Sequence, residues 1–185
     1  MPAILPEPDL LLYTDGSGHL DGYCGYAALV KTADGLHRRM VMGAMTGSST
    51  DRAEFTALIE GLRACQELWT TMAYKTLPGE NRERGRARIR WFSDRANLVL
   101  SVKKVYSRSN CEDLWAAFEY YEAYFDIEAR HVTAPFTDED PQFADCDLHS
   151  SSLRMVIKAY EKNTPLAIDV QYKPKKNEKP KPADK

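Results

Sequence analysis

Four acidic residues stand where the local pattern of the chain changes, and together they define the chemistry open to it. Asp15 closes an apolar run, Leu10 to Thr14, and leads into Gly16-Ser17-Gly18; Glu54 lies three residues after Asp51 at the head of a periodic segment. Asp94 follows Ile89 to Ser93, and Asp145 sits in Ala144-Asp145-Cys146. Carboxylates gathered in one crevice repel and raise each other's pKa unless cations lie between them. Hard, oxygen-seeking Mg²⁺ or Mn²⁺ is the matching partner. Each acid also has a local explanation: an Asp-Gly turn for Asp15, a capping box with Asp51 for Glu54, and a helix N-cap for Asp94. Asp145 can complement a helix dipole, a role open equally to Asp147.

Whether the acids meet depends on the elements that carry them. Asp9 to Asp15 reads as a buried strand entering a glycine-rich turn. Gly22 to Thr32 and Leu36 to Met45, joined by Ala33-Asp34-Gly35, complete an antiparallel meander of three strands. From Asp51 the period changes, and Phe55, Leu58, Ile59, Leu62, Cys65 and Trp69 form the apolar stripe of an amphipathic helix. Ala87 to Asp94 returns to strand character, and its place between helices predicts parallel pairing.

Helices over Asn97 to Tyr106 and Leu114 to Tyr124 follow, broken at Ser107 to Asn110; then come a strand at Asp126 to Val132 and a helix from Phe143 to about Tyr160. The expected architecture is α/β, a five-stranded mixed sheet with helices packed on it. Strand ends and helix starts of an open sheet can share one crevice, and all four acids are expected at such ends.

The 185 residues fit one domain, read here as 9–162, preceded by an extension over 1–8 and followed by a disordered Lys- and Pro-rich tail over 163–185. With 43% hydrophobic and 28% charged residues the chain has a soluble globular composition. No apolar run approaches the roughly 20 residues of a membrane span. Met1 to Pro8 has three prolines and no basic residue, unlike a secretory peptide, so a cytoplasmic location is expected. Cys24, Cys65, Cys111 and Cys146 are scattered without metal-ligand spacing and read as free thiols. The formal charge of −2 conceals a local +4 over Lys173 to Lys185, which leaves −6 on the rest. An acidic body grips nucleic acid only where cations neutralise its carboxylates and basic segments supply the contacts.

The chain resembles the ribonuclease H family in Tyr13-Thr14-Asp15-Gly16-Ser17, Gly25-Tyr26-Ala27-Ala28, Arg52-Ala53-Glu54-Phe55-Thr56-Ala57-Leu58, Phe92-Ser93-Asp94 and Ala144-Asp145, a likeness covering about residues 9–160. The Asn110...Asp113-Leu114-Trp115 stretch is similar too. The resemblance implies a ribonuclease H-like fold and a metal-dependent endonuclease, acting as a monomer on the RNA strand of RNA·DNA hybrids. It implies that Asp15 bridges two metal ions, that Glu54 and Asp94 complete the site beside the leaving oxygen, and that Asp145 holds the ion that activates water. The two ions would lie roughly 3.5 to 4 Å apart and clamp the scissile phosphate. Gly16, Ser17, Ser49, Thr50 and Asn110 are the implied substrate-binding residues. No protein nucleophile is needed, in keeping with the lack of a Ser-His or Cys-His pairing.

Three departures qualify the likeness. The loop Thr133 to Asp140 lacks the family's histidine, with His131 on the strand and His149 on the helix as the neighbouring alternatives. Ser49-Thr50-Asp51 stands in place of the residues that touch the substrate's minor groove, and Asp51 suits helix capping better than an anionic partner. The basic handle is reduced to Lys103, Lys104 and Arg108, and basic character appears instead in Arg82, Arg84, Arg86, Arg88 and Arg90 and in the tail. A DNA-directed nuclease of the same fold, such as a junction resolvase, and a non-catalytic binding module using Trp115, Phe118, Tyr120, Tyr121 and Tyr124 are the alternatives.

Overall fold

Alternation of apolar and polar residues in the strands and a 3.6-residue period in the helices sort this chain onto the two faces of one sheet. The computed structural model describes residues 7–75, 86–133 and 141–162. Arg82, Arg84, the segment 134–140 and the Lys/Pro-rich tail lie outside the described residues. In chain order the elements are β1 (Leu10–Gly18), β2 (Cys24–Thr32), β3 (Arg38–Met45), α1 (Thr50–Lys75), β4 (Ala87–Ser93), α2 (Ala96–Val102), α3 (Glu112–Tyr124), β5 (Phe125–His131) and α4 (Pro141–Glu161). The sheet runs β3-β2-β1-β4-β5. Its first three strands form the expected antiparallel meander, and β4 pairs in parallel with both β1 and β5.

One face of the sheet carries the main core. Leu10, Leu12, Ala28, Val30, Ile89 and Trp91 pack there against Phe55, Leu58 and Leu62 of α1 and Trp115 and Phe118 of α3. Burying each large apolar side chain contributes about 1.5–3 kcal/mol. The indole Nε1–H of fully buried Trp91 donates to Thr14 Oγ1 at 2.8 Å, so its polar edge is satisfied. The opposite face presents Tyr13, Ala27 and Leu29 to Cys146 of α4, with Phe92 stacked on Tyr13 at 4.8 Å between ring centroids. Asp15 shares the parity of Tyr13 and faces α4; Gly16 faces α1.

Two boundaries differ from the expectation by three residues or more. β1 does not end at Asp15 but continues to Gly18, with Asp15 opposite Ala27 and Gly18 opposite Cys24. The glycines that read as a turn serve close approach instead: a Cβ on Gly16 would lie inside contact distance of the Glu54 backbone nitrogen. α2 stops at Val102 rather than Tyr106, and just beyond it Lys104 adopts a left-handed conformation, φ 61°.

The described arginines of β4 and its approach are held by neighbouring carboxylates. Arg86 pairs with Asp126 at 3.2 Å, Arg88 with Asp9 at 3.8 Å and Arg90 with Glu128 at 2.9 Å. They form the solvated side of the strand and not a free basic track. None of the four cysteines is in a disulfide, and three of them are buried. Among the described residues, no helix is long and apolar enough to cross a membrane.

Candidate metal centre

Three of the four expected carboxylates meet. Ligand oxygens of Asp15, Glu54 and Asp94 all lie within 4.8 Å of one another. Asp15 comes from β1, Glu54 from the start of α1 and Asp94 from the residue after β4, and the parallel pairing of β1 with β4 brings two of them side by side. Glu54 reaches them from the other face because Gly16 has no side chain to hold α1 away.

The local explanations for these acids give way to the site. Asp15 lies within a strand and not in a turn. The start of α1 is capped by Ser49, whose Oγ accepts from the Arg52 N–H at 3.3 Å, so no capping box forms between Asp51 and Glu54. The Asp51 carboxylate is bonded to Arg95. The N-cap of α2 is Arg95 and not Asp94, and the Arg95 N–H donates to Ser93 Oγ at 3.1 Å.

Burial and mutual repulsion set the electrostatics. Asp15 is 5% exposed and Glu54 4%. Desolvation, with the charges of Asp147 and Asp94 adding to it, pushes Asp15 up to about 6 despite the hydrogen bond from Ser150. Burial first, then Asp15 and Asp94, hold Glu54 well above the usual carboxylate range. Asp94 is raised by partial burial and by Asp147. Glu54 Oε2 is buried without a hydrogen-bond partner, and among the described residues none of the three acids is in an ion pair. An orphaned carboxyl oxygen inside a cluster of acids fits a hard cation supplied from solution.

Asp145 is not brought to this cluster. Its carboxylate is half-exposed and lies 3.9 Å from Arg38 of β3. At about 100° of rotation per residue, Asp145 stands about 140° around α4 from Ser150, whereas Asp147 stands only about 60° from it. Ser150 faces Asp15 and is bonded to it, so Asp147 is the α4 acid on the site's side, and its charge acts on both Asp15 and Asp94. The sequence alone does not separate the two aspartates, because the i, i+3 spacing of Asp147 and Ser150 counts only once Ser150 is seen to face Asp15.

The expected substrate-binding residues lie around the cluster in different ways. Buried Gly16 has no room for a ligand on its α1 side. The Ser17 hydroxyl accepts from Ser151 at 3.4 Å. Exposed Ser49 and half-buried Thr50 open α1. Asn110, left-handed at φ 63°, lines a cleft of about 320 Å³ together with Arg95, which the sequence reading passed over. Exposed His131 has its Nε2 3.1 Å from the Asp94 carbonyl oxygen, at the rim of the site.

No protein-family model and no curated protein matches the sequence. Solved structures do match the fold. The N-terminal RNase H domain of a Mycobacterium tuberculosis protein aligns with TM-score 0.60 at 17% identity, covering 77% of this chain and 96% of that one. RNase H1 from Halobacterium salinarum gives 0.58 at 15%, covering 78% and 96%. LC11-RNase H1 in complex with an RNA/DNA hybrid gives 0.58 at 16%, covering 82% and 99%. The chain has a ribonuclease H-like fold, and within it three acids converge, two of them buried.

Proposed function

We propose that this chain, ribonuclease H-like in fold, is a metal-dependent endonuclease that hydrolyses the RNA strand of RNA·DNA hybrids. The observation that carries the reading is the convergence of Asp15, Glu54 and Asp94, two of them buried and none in an ion pair among the described residues. Asp147 stands as the fourth acid in place of Asp145. These four would hold two divalent ions, Mg²⁺ or Mn²⁺. Bound there, the ions supply Lewis acidity at the phosphate and a nucleophilic water at neutral pH.

The chain's own residues position these groups. Ser150 donates to Asp15 Oδ2 and fixes its rotation. In the reaction the water oxygen bonds to phosphorus as the bond from phosphorus to the 3'-oxygen breaks, and a proton passes to that oxygen, leaving a 5'-phosphate and a 3'-hydroxyl. Ser17, Ser49, Thr50 and Asn110 line the approach for the strand. The hybrid as substrate is supported by the solved relatives that hold one, LC11-RNase H1 and a foamy viral protease-reverse transcriptase; the latter aligns at TM-score 0.59 and 11% identity, covering 83% of this chain and 21% of that one. A monomer acting in the cytoplasm completes the reading.

The test is cleavage of labelled RNA·DNA hybrid, duplex DNA, duplex RNA and a four-way DNA junction in Mg²⁺, Mn²⁺ or chelator. Cutting confined to the RNA strand of the hybrid and abolished by chelator is expected. Cutting of the junction or of duplex DNA would move the assignment to a DNA-directed nuclease, and binding without cutting would make the chain a binding module.

A further inference from the structure

Arg95 follows Asp94 directly, and its charge acts on both Glu54 and Asp94. One terminal guanidinium nitrogen is bonded to Asp51, in the first turn of α1. The Nε of Arg95 is buried and has no hydrogen-bond partner. The pair itself sits at the surface, with side-chain exposure of 67% for Asp51 and 41% for Arg95. Such exposed pairs contribute about 0–1 kcal/mol, so exchange of one anion for another is easy. The neighbouring Arg52 differs, because both of its terminal nitrogens are engaged by the two oxygens of Asp113.

Beside Arg95 opens the cleft of about 320 Å³, edged by Asn97, Ser101, Ser107, Ser109 and Asn110. Its rim offers hydroxyls and amides, and among the described residues Asp51 is the only carboxylate on it. A planar guanidinium with unused donors, next to neutral hydrogen-bonding groups, is suited to a phosphate held by two parallel bonds.

We infer that Arg95 is a phosphate-binding residue that exchanges Asp51 for a backbone phosphate of the nucleic acid entering between the triad and this cleft. Asp51 then has two effects. In the free protein it holds the guanidinium away from the cation-binding carboxylates, and on substrate entry it competes with the phosphate and sets how readily the site accepts a polyanion. The inference rests on the nuclease reading and adds a specific contact to it.

The test is fluorescence anisotropy of labelled RNA·DNA hybrid and of duplex DNA in chelator, between about 50 and 200 mM salt, where each phosphate contact adds close to one to the slope of log affinity against log salt. Arg95→Ala is expected to weaken binding about tenfold and to lower that slope by about one. Arg95→Lys should keep the slope, and Asp51→Asn should tighten binding severalfold. Melting curves of the three variants close to that of the parent protein would show the fold intact. An unchanged slope in Arg95→Ala, or equal weakening by Arg95→Ala and Asp51→Asn, would overturn the inference. Binding of duplex DNA alone with the slope change present would uphold Arg95 and overturn the hybrid reading. Hybrid cleavage by the parent with no slope change in Arg95→Ala would do the reverse, and no binding of either duplex would overturn both.

Discussion

The fully buried Ser150 hydroxyl of α4 donates to Asp15 Oδ2 of β1, and the same oxygen lies 3.1 Å from the Asp147 carbonyl. One hydroxyl proton thus faces two acceptors, and the ionised Asp15 is the stronger. The bond favours the charged carboxylate against the desolvation that raises it.

Removing that proton should therefore push Asp15 above its value of about 6. Ser150→Ala is expected to lower hybrid cleavage about tenfold at neutral pH, the loss of roughly 1.4 kcal/mol, and to move the acid limb of the pH–rate profile upward. A profile with its acid limb in place would show that Ser150 only fills space.

Stability in chelator follows from the same group. A carboxyl whose folded-state pKa is raised from 3.8 to about 6 binds a proton more tightly in the folded than in the unfolded chain. Folding stability is then lost as pH rises through that window, by on the order of 3 kcal/mol for Asp15 alone. Asp15→Asn removes the ionisation. In chelator it should melt several degrees above the parent at pH 7.5 and level with it near pH 4, and Mg²⁺ should raise the melting temperature of the parent far more than that of the variant. Equal melting of the two proteins at pH 7.5 would contradict this.

The geometry of α4 separates its two aspartates. Asp147→Asn is expected to reduce cleavage at least a hundredfold without loss of helix, whereas Asp145→Asn should stay within about twofold of the parent, since it gives up only an exposed contact to Arg38, of the kind worth about 0–1 kcal/mol. Kinetics of the two variants side by side decide between them, and the opposite ranking would return Asp145 to the site.

Two helices reach the sheet through glycines. A Cβ on Gly25 would collide with the Ser150 carbonyl of α4, and one on Gly16 with the backbone of α1 at Glu54. Both neighbours are helix backbone and cannot turn aside, so Gly25→Ala and Gly16→Ala should each destabilise by about 1–3 kcal/mol or more and lower activity beyond the stability loss by displacing Ser150 and Glu54. Denaturant titration combined with cleavage assays at a temperature where both variants remain folded would separate the two effects.

The meander, the stripe of α1 and the parallel β4 were legible because burial on one face leaves a period of two or 3.6 in the sequence, as in Ile89, Trp91 and Ser93 or in Phe55, Leu58 and Leu62. Asp15, Glu54 and Asp94 were legible as a set because each stands at the end or start of an element, in the order and local context of the ribonuclease H pattern. What misled was local chemistry. Gly16 and Gly18 have the composition of a turn, and only the packed helix shows that they are places where backbones touch. Asp145 and Asp147 differ by their angle around α4, which only the hydrogen bond from Ser150 to Asp15 settles. The pairing of Arg95 with Asp51 joins residues from two elements and leaves no mark in either segment alone.

The most direct test of the metal centre is a time course of end-labelled RNA·DNA hybrid with the parent protein and Asp94→Asn, in Mg²⁺ and in chelator, with the RNA ends identified. Cleavage by the parent in Mg²⁺ alone, giving 5'-phosphate and 3'-hydroxyl ends, together with an Asp94→Asn protein that is folded and inactive, is the expected result. Undiminished cleavage by Asp94→Asn, or cleavage that persists in chelator, would contradict the account.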